Sequence, residues 1–86
     1  MSYSHTSVRT KDAYSHPGSP LSVEIDGEIV DVAQILERWT EAYQDPSFYP
    51  SQYFKIRALN KKIYILRYSM LFKSWWVKEY LVRSTV

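Results

Sequence analysis

Eighty-six residues allow one domain, and the absence of cysteine excludes a disulfide scaffold and a Cys-ligated zinc site. Hydrophobic residues make up 45% of the chain and charged residues 23%, an ordinary globular balance, and no apolar run is long enough to cross a bilayer as a helix. The net charge of +2 is too small by itself to demand an anionic partner.

The distribution of charge says more than its sum. Residues 21–47 hold Glu24, Asp26, Glu28, Asp31, Glu37, Glu41 and Asp45 against Arg38, a balance of −6. Residues 48–86 hold Lys55, Arg57, Lys61, Lys62, Arg67, Lys73, Lys78 and Arg83 against Glu79, a balance of +7. Such halves fit either internal complementarity between packed elements or a basic surface for an anionic partner. Aromatic residues are abundant at 16%, with eight Tyr and three Trp. They suit a small domain that must bury large side chains to fold.

Residues 1–20 carry five Ser, two Pro and two His, and Ser15 to Pro20 is loop chemistry throughout. The expectation is a flexible tail over residues 1–20 and a single domain over residues 21–86. No apolar segment typical of a secretory leader follows Met1. With the lack of cysteine, this gives an intracellular, cytoplasmic domain as the expectation.

Leu21 to Asp26 alternates, with Leu21, Val23 and Ile25 on one face, as in a half-buried strand. Asp26-Gly27 supplies the positive-φ residues of a two-residue hairpin turn, and Glu28 to Val30 is the return strand. Asp31 with Gln34 three residues later reads as a helix cap. Val32, Ile35, Leu36, Trp39 and Tyr43 then recur at helical spacing, which predicts a helix over 31–44 with Trp39 in the core. Asp45-Pro46 ends it.

Three further strands are expected at Tyr53 to Leu59, Ile63 to Tyr68 and Ser74 to Val82, joined by tight turns. The predicted fold is α+β: a small twisted antiparallel sheet in the order ββαβββ, with the helix packed on one face and a partly closed barrel as a variant. Phe54, Ile56, Ile63, Ile65, Trp75 and Val77 form the apolar face expected to receive the helix. A core this small leaves monomer and homodimer both open.

Catalytic chemistry finds little support. His5 and His16 lie in the expected tail without a carboxylate cluster, so no metal site is expected. Ser4, His5 and Asp12 lack the rigid scaffold a triad needs. Glu24, Asp26, Glu28 and Asp31 each have a local structural reason on a hairpin or cap. Gly18 and Gly27 are the only glycines, too few for a phosphate loop. The expectation is a non-enzyme with no cofactor.

One constellation points to binding. Strict alternation would project Tyr53, Lys55, Arg57, Tyr64, Tyr68, Trp76, Lys78 and Tyr80 from one sheet face. Interleaved rings and cations on a sheet suit single-stranded or distorted DNA, because bases stack on rings and phosphates meet cations. Aromatics also favour strands, and lysines protect sheet edges, so the same face suits a protein partner.

Leu36-Glu37-Arg38-Trp39, Tyr53-Phe54-Lys55-Ile56 and Trp75-Trp76-Val77, in that order, carry a resemblance covering about two-thirds of the chain. They resemble a small bacterial domain family of unknown function. That family occurs alone and at the C-terminus of catalytically inactive Y-family DNA polymerase-like proteins of mutagenic repair. The resemblance implies a non-catalytic accessory module associated with DNA repair. The chain departs from the family at Phe48-Tyr49, where a Trp pair is expected, and at Arg67-Tyr68, where Arg-Asp is expected.

Overall fold

The computed structural model describes residues 3–11, 18–41 and 50–81. These residues form an all-β, curled half-barrel of seven antiparallel strands. The strands are β1 (Ser4–Thr6), β2 (Val8–Thr10), β3 (Pro20–Ile25), β4 (Glu28–Glu41), β5 (Ser51–Ala58), β6 (Ile63–Ser69) and β7 (Ser74–Tyr80). Their spatial order is β1-β7-β6-β5-β4-β3-β2.

The α+β expectation is overturned. Residues 28–41 are one 14-residue strand where a helix was expected from Asp31. Asp31 is not a cap: it lies opposite Ser22 in the sheet, and its carbonyl accepts a bond from the Leu59 amide at 2.9 Å. The helical spacing of the apolar residues has a different origin. The β4–β5 register shifts between Val32 and Gln34 and again between Ile35 and Glu37. Each shift places two β4 residues against one β5 residue, the mark of a β-bulge. Across the first bulge, Val32 and Ile35 stay on the core side although they are three apart. A bulged strand thus mimics an i, i+3 stripe.

Val23, Phe54, Ile56, Ala58, Tyr64, Leu66, Trp75 and Val77 form the core on the inner face. The β3–β4 hairpin turns at Asp26 and Gly27, both with positive φ (50° and 83°), as its sequence predicts. The β5–β6 hairpin closes where Ala58 N bonds Lys62 O and Lys61 N bonds Ala58 O, with Lys61 at φ 70°. That three-residue loop sets Phe54 opposite Leu66 and Ile56 opposite Tyr64. Ile63 and Ile65, expected beside Phe54, consequently lie on the outer face.

The expected tail contributes strands as far as Thr10. β1 pairs with β7 and β2 with β3, and only Ser7 separates them. Ser7 O accepts the Glu24 amide, and the Thr6 hydroxyl donates to Glu24 O. The segment Ser4–Thr10 therefore binds both edges of the curled sheet. Thr6 and Val8 face inward, because Thr6 is opposite Trp75 and Val8 packs on the core. His16 and the connection over 42–49 lie outside the described residues.

Candidate functional site

Directly opposed residues in antiparallel strands share a face, so the register builds the outer surface row by row. Trp39 is opposite Tyr53, Tyr53 opposite Arg67, Arg67 opposite Trp76, and Trp76 opposite His5. One unbroken row crosses five strands. A second row runs Glu37, Lys55, Ile65 and Lys78. A third runs Gln34, Arg57, Ile63 and Tyr80.

Of the eight residues expected together, Tyr53, Lys55, Arg57, Trp76, Lys78 and Tyr80 do share this face. Tyr64 and Tyr68 do not. Tyr64 is buried in the core opposite Ile56, and Tyr68 packs inside against Trp75, ring centroids 5.0 Å apart. The three-residue loop after Ala58 sets this parity, and a loop one residue shorter or longer would reverse it. Trp39, expected in the core, is 40% exposed on the outer face. Its ring stacks parallel on Tyr53 at 5.2 Å and covers it, so Tyr53 is buried. Trp75 is a core residue as expected, but its ring partners are Phe54 and Tyr68.

Cations and rings are matched across the face. Lys55 Nζ lies 4.1 Å from the Tyr80 ring centroid, and Lys78 Nζ lies 4.7 Å from that of Tyr3. The Arg67 guanidinium carbon is 5.8 Å from the Trp76 ring, and its buried Nε has no hydrogen-bond partner. Arg57 donates to Gln34 Oε1 at 3.1 Å. His5 meets Trp76 edge-on at 5.4 Å, so it is part of the surface rather than a solvated tail residue. The Tyr3 hydroxyl sits near Tyr53, Arg67 and Glu41. Burial is the main cause that raises its pKa above the usual tyrosine value, and Tyr53 and Glu41 add to it against Arg67.

Sequence reasoning missed Trp39, Arg67 and His5 as members of this face. Arg67 was concealed by the same parity error that misplaced Ile63 and Ile65. His5 was concealed by the polar composition around it. A legible signal was there: Thr6, Val8 and Thr10 alternate β-branched residues with polar ones, the pattern of a short strand.

A second feature opens at the seam between β7 and the β3–β4 hairpin. It is a cleft of about 560 Å³ lined by residues including Glu24, Asp26, Tyr64, Val77 and Glu79. Among the described residues no group of three or more His, Cys, Asp or Glu side chains is placed to hold a metal ion. No family model, curated protein or solved structure matches the chain.

Proposed function

We propose that this chain is a non-catalytic accessory module that binds single-stranded or distorted nucleic acid on its outer sheet face. The observation that carries the reading is the row structure of that face. Its three rows bring the rings of Trp39, Trp76 and Tyr80 onto one face with Lys55, Arg57, Arg67 and Lys78. Rings supply stacking surface to any base, and cations supply sequence-independent attraction to phosphate. The likeness of the Leu36–Trp39, Tyr53–Ile56 and Trp75–Val77 motifs to a repair-linked domain family accords with this reading. Its expected helix is a strand here, so the likeness adds a biological setting and no geometry.

The test is a titration of labelled single-stranded oligonucleotide at two salt concentrations. Binding should weaken markedly between about 50 and 200 mM salt, because each phosphate contact releases counterions. A folded protein with no affinity at low salt would end the proposal.

A second reading rests on a different observation. Leu71 and Phe72 project from the β6–β7 turn, 55% and 68% exposed, and Phe72 meets Trp76 edge-on at 6.2 Å. An apolar knob beside an aromatic row also suits a protein partner. That contact would be nearly insensitive to salt and would be lost in Phe72→Ser.

A further inference from the structure

Resting on the nucleic-acid reading, we infer that the bound strand runs across the β-strands along the row from Trp39 to Trp76, with Arg67 as its central phosphate anchor. Three features of the row support this. First, Arg67 lies between its aromatic neighbours, opposite both Tyr53 and Trp76. Its Nε is buried without a hydrogen-bond acceptor. A guanidinium forms charge-assisted, often bidentate bonds to phosphate oxygens, and burial of Nε fixes the group in place.

Second, the arginine of the row stands between its two tryptophans. On β4, Glu37 shares the face of Trp39 and lies directly opposite Lys55. Trp39 offers a ring and no cation of its own, which suits an uncharged base rather than a phosphate. The cations Lys55, Arg67 and Lys78 stand on β5, β6 and β7. The row therefore offers a base platform at Trp39, a phosphate position at Arg67 and a second base platform at Trp76.

Third, the spacing is suitable. Trp39 and Trp76 are separated by three strand-to-strand steps, about 14 Å at the usual sheet spacing. A phosphate between two stacked bases fits that interval. The footprint should be short, about four nucleotides, at the lower end for sheet-based single-strand binders.

The experiment uses the full chain and oligothymidylates of increasing length at low salt, followed by tryptophan quenching. Affinity should rise with length and level off near about four nucleotides. Arg67→Gln should weaken binding about tenfold and reduce the log–log salt slope by about 0.7, the share of one phosphate on a single strand. Lys62→Gln, on the β5–β6 turn and off the row, should leave both unchanged. Trp39→Ala should weaken oligothymidylate binding about tenfold, yet leave a length-matched abasic oligonucleotide unaffected.

Arg67→Lys keeps the charge but not the guanidinium fork. It should keep the salt slope, which separates loss of the anchor from loss of the fold. If no length of oligonucleotide binds the parent protein, the nucleic-acid reading itself fails. If the parent binds but Arg67→Gln behaves like Lys62→Gln, or Trp39→Ala weakens the abasic strand equally, the reading stands and this path is overturned.

Discussion

Trp39 rests flat on Tyr53 with 40% of its surface in solvent, whereas Phe54, on the strand opposite, is 1% exposed. The two positions should respond very differently to truncation. Phe54→Ala removes a ring from the centre of the core and should cost roughly 3–5 kcal/mol. Trp39→Ala loses one stacked pair at the surface, worth about 0.5–1.5 kcal/mol beyond the area it buries, and should cost less than Phe54→Ala. Paired urea denaturations check this contrast, and equal losses would return Trp39 to the core. Tyr3 gives a second residue-level expectation, in pH. Its folded pKa is raised, so folding favours the neutral phenol. The stabilising contribution is full below the ordinary tyrosine pKa of about 10 and is lost as pH rises through the folded value. Tyr3→Phe removes that loss. The difference in denaturation midpoint between variant and parent should be flat below about pH 9 and should move in favour of the variant above about pH 10.

At the scale of elements, hairpins were legible where local chemistry decides them. Asp26-Gly27 has a positive φ at both positions, and a Cβ added at Gly27 would meet nothing within 4 Å. Gly27→Ala should therefore show a backbone cost alone, about 1–2 kcal/mol in thermal denaturation. A neutral result would mean that the turn relaxes. The last three strands were also readable from their alternation, to within two residues at each end. β4 was not. The first of its two bulges places Val32 and Ile35 on one face at a spacing that period-two reasoning cannot produce and helical reasoning can. The face assignment of β6 failed for a related reason. Tyr64, Leu66 and Tyr68 are about as apolar as Ile63 and Ile65, so composition could not fix the parity. The three-residue loop after Ala58 fixed it. Three of the site residues depended on that parity: Arg67 was gained, and Tyr64 and Tyr68 were lost.

At the scale of the whole molecule, the half-barrel depends on a segment whose composition resembles a tail. Ser4–Thr10 spans from the edge of β7 to the edge of β3. It contributes the inward side chains Thr6 and Val8 and the bonds that join Thr6 and Ser7 to Glu24. Removing it would leave two strand edges with open backbone groups, and open edges are templates for aggregation. It would also uncover Val23 and Trp75, which lie opposite Val8 and Thr6. Each lost backbone bond contributes about 0.5–1.5 kcal/mol net, and several are lost together. A domain this small holds about 5–15 kcal/mol in all. At roughly 4–8 °C per kcal/mol for a chain of this size, deletion of residues 1–10 should lower the melting temperature by more than about 10 °C. It should also promote concentration-dependent association, read by light scattering on cooling. A narrower change separates the two contributions. Thr6→Val keeps the β-branched shape and removes only the hydroxyl, which donates to Glu24 O and lies 3.4 Å from Ser7 O, so it should cost about 0.5–1.5 kcal/mol without association. If the deletion instead melts within a few degrees of the full chain and stays monomeric, the curled sheet holds its own edges and Ser4–Thr10 is only appended to it.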